Sequence, residues 1–247
     1  MITRVFVVGA QRCGTTFLYR LLDSHPDVVM ARPMRPEPKI FLTDDVTGDP
    51  RAYDARLFAG VGMTRVRGEK ATSYLEHPKA LDRIAKTFPD AHIVVAVRDP
   101  IERALSNYRF SVDHGLEDRP PDEALIDDLE GRPRAWDRER LSVSPYAYVR
   151  RGHYLEGIRQ VEERFERERI HIVVFEELVA GVGAAADVFR ALGVGDSPRA
   201  VPPLVAVNPS TAPATLSAAA RARLRDHYAD ANAALARHLG RRLDAWQ

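Results

Sequence analysis

An eight-residue segment near the N-terminus has the composition of an anion-binding loop. It reads GAQRCGTT from Gly9 to Thr16 and lies between a strand-like run and a helix-like segment. At such a junction, exposed backbone N–H groups and the positive end of the helix favour a phosphate or sulfate. Gly9 and Gly14 have the spacing of a P-loop, but Thr15 stands where the P-loop lysine is expected. The cation comes earlier, at Arg12, which suits a 5′-phosphate joined to one further charged group. A purely structural turn is the alternative.

A second candidate anion site combines Arg98 and Ser106. Arg98 ends a strand-like run, and Ser106 comes two turns into the next predicted helix. This separation can place a guanidinium and a hydroxyl on one phosphate. The alternative is an arginine paired with Asp99 or Glu102, and a solvated serine. Two anion sites at neighbouring strand ends indicate a ligand with separated charged groups, because open α/β sheets bind ligands beyond strand C-termini.

One carboxylate stands in a stiffened loop. Glu37 lies between Pro36 and Pro38 and is followed by Lys39. The two prolines restrict the backbone, so the carboxylate could be held near an acceptor hydroxyl. A solvated loop glutamate is the alternative interpretation.

The elements that position these residues follow from the hydrophobic pattern. Short apolar runs at 5–8, 93–97 and 170–175 predict buried parallel strands. Helical periodicity and start signals predict helices at 16–23, 79–87, 100 to about 112, 154–169, 184–192 and 217–239. Asp99 is the expected N-cap of the helix at 100, with Pro100 in its first turn and Glu102 completing a capping box. Ser217 is the expected N-cap of the last helix. Alternating strands and helices predict an α/β fold with a mostly parallel central sheet.

Composition narrows the functional classes. The 247 residues fit either one large α/β domain or two small ones, and we favour one domain, 1–247. The net charge of +1 predicts no nucleic-acid partner and no anionic membrane surface. Cys13 is the only cysteine, so an internal disulfide is excluded, and a reducing, cytoplasmic location is expected. The N-terminal apolar run is too short for a signal-peptide core or a membrane span. The histidines lack metal-ligand spacing, so no metal site is predicted. Segments 32–38, 115–121 and 201–213 are predicted loops that could border a substrate cleft.

Several motifs together resemble one enzyme family. They are QRCGTTFLYRLLDSHPDV, RPEPKIF, GEKATSYL, VRDPIERALSNY and, more faintly, RGHYLEGIRQVEERF and the C-terminal helix. Their order and spacing are similar to those of sulfotransferases that use 3′-phosphoadenosine 5′-phosphosulfate (PAPS), particularly the heparan-sulfate type and its bacterial relatives. The resemblance covers nearly the whole chain. It implies a P-loop-like α/β domain, PAPS as donor, adenosine 3′,5′-bisphosphate as product and no required metal.

The resemblance also implies roles for single residues. Glu37 corresponds to the catalytic base, although Pro36, Lys39 and Ile40 depart from the family's pattern around it. Lys70 matches a segment lining the donor and acceptor pocket; an exposed ion pair with Glu69 is the alternative. Arg12 would act on the leaving group. The residues implied in donor binding are Gln11, Arg12, Cys13, Gly14, Thr15, Thr16, Arg98, Ser106, Arg151, Gly152 and Tyr154.

The expected activity is sulfuryl transfer to a hydroxyl or amine of a small-molecule or glycan acceptor, with a carbohydrate or glycosylated metabolite favoured. Two alternatives stay open: a nucleotide-dependent P-loop phosphotransferase, which Thr15 disfavours, and a nucleotide-binding module without catalysis. The sequence carries no readable signal for the acceptor's identity, the position sulfated or the oligomeric state.

Overall fold

The protein is described by a computed structural model at residues 2–132, 134–195 and 214–246. Within those stretches there are five strands: β1 (Thr3–Gly9), β2 (Val28–Met30), β3 (Val66–Lys70), β4 (His92–Val97) and β5 (Ile170–Val174). The α-helices of the same stretches are α1 (Thr15–Asp23), α2 (Pro50–Leu57), α3 (Pro78–Thr87), α4 (Pro100–Asp113), α5 (Pro121–Leu129), α6 (Tyr154–Glu162), α7 (Phe175–Ala180), α8 (Ala186–Ala191) and α9 (Ala218–Leu239).

The five strands form one parallel sheet in the order β2-β3-β1-β4-β5. Val7 is in register with Lys70 of β3 and with Val94 of β4, so the carboxyl ends of three strands meet at one edge. The sheet is flanked by helices, which confirms the predicted α/β class. The loop after β1 and the residue after β4 thus follow neighbouring strands, as the sequence predicted.

The described chain divides into two compact units. One comprises the described residues of Met1–Val97 and Gly157–Val207, and the other those of Arg98–Glu156 and Asn208–Gln247. The first contains the whole sheet, and its core includes Leu18, Leu22 and Phe189. The second contains α4, α5 and α9 around a core that includes Leu105 and Leu224. One domain over 1–247 stays a prediction.

The predicted helix caps are partly right. Asp99 accepts hydrogen bonds from the N–H groups of Ile101 and Glu102, both at 2.9 Å, so this N-cap is confirmed. The Glu102 N–H bond to Asp99 is one half of the predicted capping box, whereas the Glu102 carboxylate accepts from Arg221 Nη2 at 2.9 Å. The Ser217 cap is confirmed by its bond from the Ala220 N–H at 3.1 Å.

The main errors of the sequence prediction concern polar or short elements. The helix expected at 154–169 ends at Glu162, because the chain turns extended at Glu166 before the 3₁₀ turn Arg167–Arg169. The sequence missed β2, β3, α2, α5 and α7. β3 reads VRGEK, and it escaped detection because its two charged residues at the end are buried, not solvated. The predicted loop at 201–213 lies outside the described residues.

Candidate active site

The loop after β1 has the backbone of an anion cradle. Gly14 is the N-cap of α1 with φ 78° and ψ 12°, and no side chain caps the helix. Arg12 also has a positive φ, 68°, which is uncommon for a residue with a side chain and often marks a functional site. The first N–H groups of a helix have no intrahelical acceptor, and α1 has no acidic residue in its first turn. The helix end is therefore built to receive an anion.

The predicted glycine in this loop is required by packing as well as by its φ. A Cβ at Gly14 would lie 2.3 Å from Cδ2 and 2.7 Å from Cε2 of Phe175. Phe175, the first residue of α7, therefore packs directly against the loop. The sequence interpretation placed Phe175 at the end of a strand and missed this contact, because no local pattern connects residues 161 positions apart.

The other residues of the anion loop differ in their exposure to solvent. Cys13 and Thr15 are buried, so they support the loop from inside, whereas Gln11, Arg12 and Thr16 are partly exposed. Thr16 Oγ1 accepts a hydrogen bond from Arg35 Nη2 at 3.3 Å. Burial lowers the pKa of the Arg35 guanidinium, with Arg20 adding repulsion and Glu37 opposing the shift. Arg35 thus connects the predicted 32–38 loop to the anion loop.

Glu37 is held in a cluster rather than solvated. Its carboxylate pairs with Lys70 Nζ at 2.5 Å and accepts from the Thr72 N–H at 3.0 Å and the Thr72 hydroxyl at 3.2 Å. The Lys70 side chain is 3% exposed and that of Glu37 14%. The alternatives of a solvated Glu37 and an exposed Lys70 are both wrong. Burial lowers the pKa of Lys70, and the Glu37 carboxylate counteracts that shift.

The position of this cluster comes from the sheet. Lys70 is the last residue of β3, directly beside β1, and the Ala71 N–H donates to the Val7 carbonyl at 3.1 Å. β1 leads within a few residues into the anion loop. The carboxylate, the ammonium group and the helix end therefore belong to the same carboxyl edge of the sheet. Thr72 received no role in the sequence interpretation, although it lies in the GEKATSYL segment.

The residue before Lys70 in β3 carries a second carboxylate, which is buried. Glu69 is fully buried and accepts from Tyr53 Oη at 2.9 Å and Tyr74 Oη at 2.5 Å. Tyr74 Oη in turn accepts from the N–H of Phe41 at 3.0 Å, which ties the segment after Glu37 to the end of β3. Burial raises the pKa of Glu69 to about 7, partly offset by the tyrosine hydrogen bonds and increased by Glu37.

The remaining predicted binding residues belong to the other unit. Arg151 is 8% exposed and donates to Asn107 Oδ1 at 3.1 Å and to the Ser144 carbonyl at 2.7 Å. Tyr154 Oη donates to the Arg98 carbonyl at 2.7 Å, so Arg98 and the segment that contains Arg151 are in contact within this unit.

Gly152 and Ser106 complete this set. A Cβ on Gly152 would lie 2.7 Å from Pro100 Cβ and from the Tyr228 ring, so the backbone approaches α4 and α9 closely. Ser106 is half-buried on α4. The alternative considered from sequence, in which Arg98 pairs with Asp99 or Glu102, stays a prediction; the Glu102 carboxylate accepts from Arg221 Nη2.

Residues 2–132, 134–195 and 214–246 contain no group of three or more His, Cys, Asp or Glu side chains arranged to bind a metal ion. None of their helices combines the length and hydropathy that crossing a membrane requires.

Comparison with known proteins assigns the family. The chain matches the family described as the sulfotransferase domain over residues 2–184 and belongs to it. A sulfotransferase crystal structure from Alicyclobacillus acidocaldarius matches with a TM-score of 0.75 and 28% identity, over 100% of this chain and 99% of that one. The sulfotransferase domain of the Synechococcus PCC 7002 olefin synthase has a TM-score of 0.50 at 16% identity over 92% and 94% of the two chains, a likeness of fold alone.

Curated relatives match over shorter segments. The membrane-associated sulfotransferase kil1 of Dictyostelium discoideum is 30% identical over 107 residues, covering 43% of this chain and 22% of kil1. Heparan sulfate glucosamine 3-O-sulfotransferase 6 of Mus musculus is 33% identical over 111 residues, covering 42% of this chain and 29% of that protein. The chain thus spans under a third of these relatives' length. The sulfotransferase class predicted from the motifs is confirmed.

Proposed function

We propose that this sulfotransferase takes its sulfuryl group from PAPS and transfers it to a hydroxyl or amine with Glu37 as the base. The observation that carries the proposal is the Glu37–Lys70–Thr72 cluster at the same sheet edge as the Arg12–Gly14 anion loop. A carboxylate positioned by buried partners, beside a helix end suited to an anion, provides a base and a leaving-group site together.

The donor's two charged ends would use different residues. The 5′-phosphosulfate would bind the loop through the N–H groups of Gly14, Thr15 and Thr16, with Gln11 and Arg12 at its rim and Cys13 supporting it from inside. We assign the 3′-phosphate to Arg98, Ser106 and Arg151, with Gly152 and Tyr154 shaping that segment. This assignment is supported by the motif resemblance and by the near-complete burial of Arg151.

The proposed reaction is a displacement in line at sulfur. Glu37 takes the acceptor proton as the acceptor oxygen or nitrogen forms its bond to sulfur. The bond from sulfur to the bridging phosphate oxygen breaks, and adenosine 3′,5′-bisphosphate leaves with that electron pair. Arg12 and the helix N–H groups would stabilise the new charge on the leaving oxygen. Lys70 and Thr72 hold the Glu37 carboxylate in position, and a carboxylate bound in this way retains lone pairs for the acceptor proton.

A carbohydrate or glycosylated small molecule is the acceptor we favour. It is supported by the matched relatives, one of which is named as a glucosamine 3-O-sulfotransferase. A cytoplasmic location and the absence of a metal requirement stay predictions.

The donor is tested first, because that test needs no acceptor. Calorimetric titration compares adenosine 3′,5′-bisphosphate with ADP and ATP, each with and without Mg²⁺. Selective, metal-independent binding of the bisphosphate is expected. Preference for ATP with Mg²⁺ would replace this proposal by a phosphotransferase, and binding of the bisphosphate without transfer to any acceptor in a broad screen would favour a non-catalytic module.

The base is tested with Glu37→Gln. We expect transfer to fall by about 10²–10⁴ fold, the usual contribution of a general base, while the Kd for adenosine 3′,5′-bisphosphate stays within about 2-fold, because Glu37 does not bind the nucleotide in this scheme. Glu168→Gln, at an exposed glutamate, is the matched control and should leave both quantities unchanged. Full transfer by the Glu37 variant would require another base.

A further inference from the structure

One face of α4 is polar although it is completely buried. Arg103, Asn107 and Ser111 follow each other at intervals of four residues, and their exposures are 0%, 2% and 0%. Asn107 Nδ2 and Ser111 Oγ both donate to the Pro145 carbonyl, at 2.9 and 3.0 Å. Arg103 donates to the carbonyl of Tyr148 and, at 3.5 Å, to that of Ala147. This face therefore holds the main chain that leads to Arg151.

Asn107 also contacts Arg151 directly. Its Oδ1 accepts from Arg151 Nη1 at 3.1 Å and from Arg103 Nη1 at 3.2 Å. The opposite end of the amide donates to Pro145, so the hydrogen bonds fix which end of the Asn107 side chain faces the two guanidinium groups. Arg151 Nη2 is occupied by the Ser144 carbonyl at 2.7 Å. Two neutral oxygens thus accept hydrogen bonds from the two terminal nitrogens of Arg151.

The charge of this cluster is unusual for a protein interior. Arg103 is fully buried, and among the described residues it has no carboxylate at ion-pair distance and no acceptor for its Nε–H. A buried cation without a carboxylate is costly, and two guanidinium groups sharing one oxygen repel each other. An anion near the two guanidinium groups would offset both costs.

We propose that Asn107 is a positioning residue that presents Arg151 to the donor's 3′-phosphate, with Arg103 fixing Asn107 from the other side. Asn107 itself does not touch the nucleotide. The inference rests on the proposed donor site, and it assigns to α4 a function beyond the Arg98 and Ser106 pair that the motif contains.

The test measures discrimination by the 3′-phosphate. Calorimetry gives the Kd of adenosine 3′,5′-bisphosphate and of adenosine 5′-monophosphate, which lacks that phosphate, for the wild type, Asn107→Ala, Asn107→Ser and Ser111→Ala. The ratio measured is the Kd of the monophosphate divided by the Kd of the bisphosphate. In both Asn107 variants this ratio should fall by about 10-fold or more, as expected for losing a well-placed charged hydrogen-bond donor. Monophosphate affinity should stay within about 2-fold, which also shows that the site is folded.

Ser111→Ala is the matched control, because Ser111 holds the same Pro145 carbonyl without touching Arg151. Its Kd ratio should equal that of the wild type. The inference is overturned if the ratio is unchanged in the Asn107 variants, if both nucleotides weaken equally, or if Ser111→Ala lowers the ratio as much. A wild type that does not prefer the bisphosphate to the monophosphate would instead refute the proposed 3′-phosphate site.

Discussion

Replacing the buried Glu69 by glutamine should change how the protein's free energy of unfolding depends on pH. The pKa of Glu69 is raised from 4.5 to about 7 in the folded protein, chiefly by burial. Between those values the folded state binds more protons than the unfolded chain, so this residue's contribution is complete below about pH 4.5 and is lost as the pH rises through about 7. From about pH 5 to about pH 8 the linkage relation gives a loss of about 2.5 kcal/mol.

Urea unfolding followed by circular dichroism, at intervals across that pH range, measures this effect. The free energy of unfolding of the wild type minus that of Glu69→Gln should decrease by about 2.5 kcal/mol between the two limits. The other titrating groups contribute equally to both proteins and cancel.

Glu117→Gln is the matched control at a second buried glutamate. The pKa of Glu117 is lowered to about 2 by its hydrogen bonds from Arg119 and Tyr148, against an opposing effect of burial. The contribution of Glu117 to stability is therefore lost only below about pH 4.5. The free energy of unfolding of the wild type minus that of Glu117→Gln should stay constant from about pH 5 to about pH 8. If the free energies of unfolding of the wild type and Glu69→Gln change in parallel with pH, the reasoning is refuted.

Two further predictions concern the anion loop and the amino ends of β4 and β5. Gly14→Ala should lower the Tm and weaken adenosine 3′,5′-bisphosphate binding, because it adds a clash with Phe175 to the cost of a positive φ. Gly115→Ala is the control, since it has the same φ cost with nothing within 4 Å of its Cβ. Equal effects of the two substitutions would contradict the prediction. His171 contacts His92 at 3.0 Å, and burial and that neighbour lower its pKa to about 4. The unfolded chain therefore binds a proton at His171 at a higher pH than the folded protein does, so the wild type loses stability as the pH falls from about 6.5 to about 4. In the same unfolding assay, His171→Gln should lose less stability over that range. Equal losses would exclude a contribution of His171 to the pH dependence.

Local sequence carried enough information for the class of fold and for the glycine-containing turn between β1 and α1. Apolar runs of β-branched residues predict strands because a strand buried on both faces tolerates little else, and the runs at β1, β4 and β5 were found accordingly. The Asp99 and Ser217 caps were also predictable, because each acts within three residues of the chain. The Gly9-to-Gly14 spacing and the shifted cation at Arg12 similarly express a local backbone requirement.

Tertiary structure alone decided which polar residues act together. β3 was not predicted, because Glu69 and Lys70 look solvated until Tyr53, Tyr74 and Glu37 supply their buried partners across the chain. Motif resemblance named Glu37, but its contacts with Lys70 and Thr72 join residues more than thirty positions apart. Such pairings depend on how the strands order themselves in the sheet, and the energies that select them come from burial and long-range hydrogen bonds that no sequence window contains.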